Sequence, residues 1–277
     1  AFPPTHAASI KAIRADFAKQ NISLGAVDLS GSVATVYYRN GRYSSEAVAV
    51  GRMTRLLMAD TPAEIEKFHF IAIDGGVPQT SFEVLRAPME RSLQQYADGA
   101  ELADNAISQS PPPVDNPILD HAQKGQYPIF SWSLYPQFRQ SLFNITNPFS
   151  VQFLAAATAD VQLATGLDVV GEVEGDLYNN YVVNTATVSA LPHVRTDFVQ
   201  FFSTGKTGMG ELEADYRFKP TPEVWAILRA GYLESMFGGV GGEALWRPEN
   251  QRWALSIDGY RVWERNFDRL FGFQSYK

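Results

Sequence analysis

The sequence contains no cysteine in its 277 residues. This absence excludes disulfide bonds, thiolate metal sites and catalysis by a thiol. The sequence also has no apolar run approaching the roughly 18 residues of a membrane-spanning helix. Transmembrane strands need only about 9–11 residues of alternating pattern, so this second absence leaves that class of protein open.

Positive charge is scarce, because 23 Lys and Arg residues stand against 30 Asp and Glu residues, giving a net charge of -7. An acidic chain is a poor partner for nucleic acid, so we expect none. The histidines lie in separate segments without the spacing of metal ligands, and we therefore predict no metal site. They are His6, His69, His121 and His193.

A possible nucleotide signature occurs at Ser203–Gly208, which contains Gly-Lys-Thr. A phosphate-binding loop needs a second glycine where this chain has Gln200, and it needs a helix to follow. The segment Gly210–Phe218 instead alternates with period two, as a strand does. We predict a hairpin turn between strands at Arg195–Phe202 and Gly210–Phe218. The glycine-rich Met236–Glu243 lacks dinucleotide-loop spacing, and no cofactor is expected.

The first hundred residues predict a small α/β domain, residues 1–100, with the order α-β-β-α-β-β. Helical spacing and turn residues mark the six elements, and we expect two helices on one face of an antiparallel sheet. The predicted elements are a helix at Ala7–Gln20, strands at Leu24–Leu29 and Val33–Tyr38, a helix from Ser44 or Ser45 through Met58, and strands at Lys67–Ile73 and Ser81–Arg86.

Prolines interrupt the pattern in residues 101–147, most densely at Pro111–Pro113. Proline does not fit helix interiors or central strands, so this range is predicted to be a connector. From residue 148 to residue 277 the sequence alternates between apolar and polar residues over strands of about ten residues joined by tight turns. The chain is therefore predicted to be α+β, ending in an antiparallel up-and-down β-barrel or part of one.

Acidic residues alternate with apolar residues on two of these strands, which predicts one polar and one apolar face. A soluble sheet has such faces too, but long strands with aromatics near their ends favour a transmembrane sheet with a polar interior. The predicted interior residues are Asp168, Glu172, Glu174, Asp176, Glu211, Glu213 and Asp215, with Arg195, Arg217 and Arg229 as counter-charges. Carboxylates two apart on a strand also resemble the spacing of a glycosidase pair, which leaves glycan cleavage as an alternative.

Four C-terminal motifs resemble the bacterial YjbH/GfcD family of outer-membrane proteins of exopolysaccharide and capsule secretion. They are Leu191–Asp197, Gly210–Pro220, Phe237–Pro248 and Phe267–Gly272. The resemblance implies an outer-membrane β-barrel joined to a periplasmic domain and working with other envelope secretion proteins, with no catalytic residues to transfer.

These features predict a non-enzymatic outer-membrane component of polysaccharide transport, with exopolysaccharide, envelope proteins and outer-membrane lipid as partners. The alternative is a soluble periplasmic domain that binds or cleaves carbohydrate. A third interpretation is a purely structural assembly subunit, in which the α/β domain carries the partner contacts and the barrel is only an anchor. Substitutions on the exposed face of the Ala7–Gln20 helix would test it.

Overall fold

The computed structural model describes residues 6–94, 106–109, 127–142, 147–183, 195, 197–248 and 251–274. The chain divides into two compact units. The first comprises residues 1–127, 218–225 and 245–255, and the second comprises residues 128–217, 226–244 and 256–277. Helices and strands are both present and strands predominate, in agreement with the predicted α+β class.

The first unit contains a five-stranded sheet of order β1-β2-β3-β4-β5 with helices beside it. Its core lies between one face of the sheet and the two longer helices, with Phe17, Met53 and Phe70 fully buried. The elements are α1 (His6–Lys19), β1 (Ile22–Ser30), β2 (Val33–Asn40), α2 (Glu46–Asp60), β3 (Lys67–Asp74), β4 (Val77–Leu85), α3 (Arg86–Leu93) and β5 (Ala106–Gln109).

The prediction that this sheet is antiparallel was wrong at one pairing. Strands β2 and β3 run parallel, with Val33 opposite Lys67 and Tyr38 opposite Ala72. The chain between them forms α2, and a helical crossover carries it back so that the next strand starts from the same end. By contrast, β3 and β4 are joined by Gly75 and Gly76, whose positive φ values suit a two-residue hairpin turn.

The end of α2 is held by the side chain of Arg86. Its guanidinium donates hydrogen bonds to the carbonyl oxygens of Met58 at 2.9 Å, Pro62 at 2.7 Å and Ile65 at 3.1 Å. It also pairs with Glu90 at 2.8 Å. Arg86 therefore satisfies carbonyl groups that the last turn of a helix and the following loop leave without partners.

Replacing Arg86 with Met is expected to lower the free energy of local opening of α2 by about 2 kcal/mol, because charged hydrogen bonds to three carbonyls are lost. Hydrogen exchange of the α2 amides measures this. The exposed Arg52 on the same helix provides the control, since its change to Met should alter protection by less than about 0.5 kcal/mol. Equal effects of the two substitutions would contradict this role for Arg86.

The second sheet has seven strands in the order β12-β11-β10-β9-β8-β7-β6, the reverse of their order along the chain. The pairings from β6 to β9 are antiparallel. Its elements are β6 (Ile129–Leu142), β7 (Phe149–Ala164), β8 (Leu167–Asn179), α4 (Phe198–Thr204), β9 (Gly208–Thr221), β10 (Val224–Tyr232), β11 (Phe237–Trp246) and β12 (Leu255–Glu264).

Strand β6 lies in the range predicted to be a connector. It contains Pro136, which pairs with Ala155 of β7. Strand β6 stands at an edge of the sheet and has one neighbouring strand. The missing N–H group of a proline therefore removes no hydrogen bond to a second strand. The strand β5 also falls in the range 101–147. The densest prolines, Pro111–Pro113, lie outside the described residues.

The predicted strand at Arg195–Phe202 and the hairpin at Ser203–Gly208 were wrong. Phe198–Thr204 is the helix α4, and β9 pairs directly with β8 instead. The reason is the spacing of Phe198, Phe201 and Phe202, which places three aromatic rings on one side of a helix. These rings pack against Tyr181 and Phe267.

The second sheet is open in the residues that the structure describes. Strands β6 and β12 stand at its two edges, so of the two predicted forms, a β-barrel or part of one, a closed barrel is not found. The part of the prediction that holds is the meander, in which every strand neighbours the next along the chain. Within the described residues, no helix has the length and apolar character needed to cross a membrane.

Candidate functional site

The second sheet buries charge and exposes apolar side chains. On β8, Val173 is 60% exposed while its neighbour Glu174 is 1% exposed, and on β9 Tyr216 is 47% exposed while Asp215 is 3% exposed. Successive side chains of a strand point to opposite faces, so one face is apolar and exposed. Its exposed residues include Phe130, Trp132, Leu134, Phe153, Val173, Tyr216, Leu228, Val240, Leu255 and Ile257.

The opposite face is the candidate functional site, and we call it the polar face. Nine of the ten residues predicted from the sequence lie on its strands. They are joined by side chains of β6 and of the segment after β12. The polar face comprises Tyr135, Arg139, Asp168, Glu172, Glu174, Asp176, Glu211, Glu213, Asp215, Arg217, Arg229 and Arg269.

Like charges face each other across β8 and β9. Asp168 is opposite Asp215, and Glu172 is opposite Glu211. Directly opposed like charges destabilise a sheet unless a counter-charge lies between them. Arg217 supplies it for the first pair, donating one hydrogen bond to Asp168 and another to Asp215 at 2.9 Å. Arg217 therefore offsets the repulsion between these two opposed carboxylates.

Arg229 adds a second, looser counter-charge. Its Nε atom lies 3.7 Å from Asp215 Oδ1, and its Nη1 atom lies 3.9 Å from Glu243 Oε1. Glu243 lies on β11, so the ionic contacts continue across three neighbouring strands. The middle of the polar face therefore carries both signs of charge.

Glu174 is held between two arginines that are far away in the sequence. Arg139 of β6 donates to Oε1, and Arg269 of the segment after β12 donates to Oε2. The side chains of Glu174 and Arg269 are almost fully buried. A buried carboxylate is tolerated only when it is paired, and here both of its oxygens have a guanidinium partner.

The remaining predicted acids are held less firmly. Glu172 accepts a hydrogen bond from the hydroxyl of Tyr135. Glu211 and Glu213 are half-buried on β9. The buried Oδ1 atom of Asp176 has no hydrogen-bond partner among the described residues. Glu172, Glu211 and Glu213, which are only partly buried, are therefore the predicted acids that remain accessible to further contacts.

Arg195 is the one predicted counter-charge that the structure places elsewhere. It precedes α4, its side chain is 67% exposed, and it pairs with Glu234 at 2.9 Å. The prediction failed because it assumed a strand at Arg195–Phe202, where the chain forms a helix instead.

The segment that resembled a nucleotide signature forms the contact surface for Arg269. A Cβ atom on Gly205 would lie 2.7 Å from Arg269 Cδ, and one on Gly208 would lie 2.8 Å from Arg269 Cβ. Arg269 Nη1 donates to Gly205 O at 3.1 Å, and Met209 N donates to Arg269 O at 2.9 Å. The two glycines therefore permit close approach of the chain after β12.

A second buried arginine, Arg265, fastens the same segment. Its guanidinium donates to Glu234 O at 2.7 Å and to Arg269 O at 2.9 Å, and it stacks over the ring of Tyr232. Burial and then repulsion from Arg269 lower the pKa of Arg265 to about 10, so it remains charged at neutral pH. The Arg265–Phe273 turn is thus fixed against the sheet by two arginines.

Three polar-face residues were missed by sequence reasoning. Tyr135 and Arg139 were placed in the connector because of Pro136, although Phe130, Trp132, Leu134 and Phe138 alternate there with polar residues. That alternation was the available signal. Arg269 lies in one of the motifs that resemble the YjbH/GfcD family, but no local pattern connects it with Glu174.

The polar face is a surface on which several charged groups are held in place by partners of opposite charge. Among the described residues, no group of three or more His, Cys, Asp or Glu side chains could hold a metal ion. Carboxylates, guanidinium groups and a phenol hydroxyl offer both acceptors and donors to a ligand rich in hydroxyl groups. The fold and this surface define an α+β protein whose meander sheet has one apolar, exposed face and one polar face with paired charges.

Comparison with known proteins gives the family. The model of a family described as exopolysaccharide biosynthesis protein YbjH matches residues 3–277, and the chain belongs to this YjbH family. A relative from Escherichia coli (strain K12), named uncharacterized lipoprotein YjbH, is 26% identical over 269 residues. The match covers 94% of this chain and 38% of that relative. No solved structure matches the chain.

The family confirms the resemblance seen in the C-terminal motifs and extends it to the α/β unit, since the match begins at residue 3. The description of this family refers to exopolysaccharide biosynthesis. The chain spans 38% of the length of the relative, so most of that relative lies outside the matched region.

Proposed function

We propose that the chain is a non-enzymatic outer-membrane component of exopolysaccharide secretion, with its α/β unit in the periplasm. The observation that carries the proposal is the inverted burial of the second sheet, in which charged side chains are buried and large apolar ones are exposed. A sheet in water has the opposite arrangement. Lipid makes the exposed face favourable, because apolar side chains then meet hydrocarbon.

Strand dimensions support the same environment. The shortest strand of the second sheet, β10, has 9 residues, and the longest, β7, has 16. A strand needs about 9–11 residues to cross the hydrocarbon region when tilted. Aromatic residues at strand ends, including Trp246 on β11 and Trp263 on β12, suit the membrane interface.

The polar face is proposed to contact the exported glycan. Sugar hydroxyls both donate and accept, and the paired charges of this face present both kinds of group. The same pairing favours a non-enzymatic role. Both oxygens of Glu174 are already occupied by Arg139 and Arg269, so this carboxylate is a poor proton donor or nucleophile for glycan cleavage.

Other envelope secretion proteins are proposed as partners of the periplasmic α/β unit. The name of the relative as a lipoprotein agrees with a location in the cell envelope.

Spin labelling tests the membrane environment, and the lack of cysteine allows a single label at a chosen site. We compare Ile257→Cys and Asp258→Cys, adjacent residues of β12 that are both exposed. In lipid vesicles, we expect oxygen to relax the label at position 257 and a water-soluble nickel complex to relax the label at 258. Adjacent side chains point to opposite faces, so only the first meets hydrocarbon.

Val48→Cys on α2 serves as the control, because this exposed position belongs to the α/β unit. The nickel complex should reach its label whether or not lipid is present. If the nickel complex reaches positions 257 and 258 equally in vesicles, β12 does not lie in the bilayer and the proposal fails. A chain that remains monodisperse in buffer without detergent would contradict it as well.

A further inference from the structure

The two long helices of the α/β unit expose five cations, of which Lys19 is paired with Asp16 and the other four are not paired with any described residue. Lys11 and Arg14 lie on α1, and Arg52 and Arg55 lie on α2, all with exposed side chains. The two members of each pair are three positions apart in the sequence, so they lie on the same side of their helix. We call these four residues the basic helical surface.

The helices lie side by side. Ile13 and Phe17 of α1 share one core with Val50 and Met53 of α2. The four cations lie on the exposed sides of these two packed helices, five to eight residues before the helix ends, and so belong to the outer surface of one helix pair.

The acids of the two helices are turned away from this surface or paired. Glu46 accepts hydrogen bonds from Tyr38 at 2.7 Å and from Asn40 at 2.9 Å. Asp16 pairs with Lys19 at 2.6 Å. The third acid, Asp60 at the end of α2, is partly buried. None of the acids of α1 and α2 is therefore paired with one of the four cations.

Among the described residues, none of the four cations forms a salt bridge or a side-chain hydrogen bond. The chain as a whole has a net charge of -7, so this surface carries the opposite sign to the rest of the protein. Such local potential attracts an anionic partner and repels a cationic one.

We propose that the basic helical surface binds a carboxylated polysaccharide. The inference rests on the proposed function, since it names the chemical class of the glycan. Four cations in two pairs on neighbouring helices suit a polymer that repeats one carboxylate at regular intervals. A neutral glycan is a poorer fit, because sugar rings stack on aromatic side chains and the exposed residues beside the cations include the alanines Ala15, Ala18 and Ala59.

The test uses the full chain in detergent micelles with fluorescently labelled polygalacturonate, and neutral dextran as the comparison polymer. We expect binding of polygalacturonate to weaken roughly tenfold in Arg52→Gln/Arg55→Gln, and by a similar factor in Lys11→Gln/Arg14→Gln. Binding should also weaken with added salt, since exposed charges are screened over about 10 Å at 0.1 M.

Arg39→Gln/Lys206→Gln is the matched control, because it removes two exposed positive charges from outside the two helices. It should bind polygalacturonate as the parent does. The proposal is overturned if the parent prefers dextran, or if the control weakens binding as much as either helix variant. It is also overturned if the helix variants lose binding only to phosphatidylglycerol vesicles.

These outcomes are separate from those of the membrane proposal. Oxygen and nickel accessibility at positions 257 and 258 reports on β12 alone, and it should be unchanged in the helix variants. Loss of polygalacturonate binding with normal accessibility supports the basic helical surface. Normal accessibility without any polygalacturonate binding leaves the membrane role intact and removes only this inference.

Discussion

Replacing Glu174 with Gln is expected to lower the free energy of unfolding of the second sheet by about 3–5 kcal/mol. The amide leaves the buried guanidinium of Arg269 and the partly buried one of Arg139 without a counter-charge. An unpaired buried charge costs far more than the lost attraction of an exposed pair. Urea unfolding in detergent, followed by tryptophan fluorescence, measures the change, since all five tryptophans lie beyond residue 127.

Glu234→Gln is the matched control. It breaks the exposed pair with Arg195, and exposed pairs contribute only about 0–1 kcal/mol. Adding Arg269→Met to Glu174→Gln should recover part of the loss, because the double variant no longer buries this unpaired cation. If Glu174→Gln costs no more than Glu234→Gln, the three side chains do not form a buried ionic cluster.

The polar face depends on residues that come from distant parts of the sequence. The opposed acids of β8 and β9 would repel each other in an isolated hairpin. Arg217 lies between Asp168 and Asp215, while Arg139 of β6 and Arg269 of the turn after β12 both pair with Glu174 of β8. The close approach of that turn requires Gly205 and Gly208. The pairing of charges on the polar face therefore depends on the path of the chain after β12.

The strands of the meander could be predicted from the sequence because alternation is a local signal. Residues 149–163 and 167–177 alternate with period two, and the structure has β7 and β8 there. The acids of the polar face followed from the same alternation. Their register across β8 and β9 did not follow, because pairing depends on which strands meet.

Other features were decided by tertiary contacts. The aromatic run Phe198–Phe202 can alternate as a strand or lie on one side of a helix, and packing against Tyr181 and Phe267 selects the helix. Pro136 argued against a strand, but its position at a sheet edge removes the objection. The parallel pairing of β2 and β3 depends on the path of α2 and has no signature in either strand.

The second large effect is expected from a charge on the apolar face. Leu228, in the middle of β10, is 53% exposed. In a bilayer, Leu228→Arg should lower the free energy of unfolding by about 2–4 kcal/mol, because a charge at the membrane midplane must be taken from water. Refolding titrations in urea with phosphatidylcholine vesicles measure the cost.

Leu255→Arg is the matched control for depth. Leu255 is 61% exposed and stands at the first position of β12, where a charge near the interface should cost only about 0–1 kcal/mol. In a soluble sheet both substitutions replace an exposed leucine by a solvated arginine, and each should change stability by less than about 0.5 kcal/mol. A small and equal effect at the two positions would contradict a lipid-facing sheet, whereas a cost confined to Leu228 requires a hydrocarbon layer across the middle of the strand.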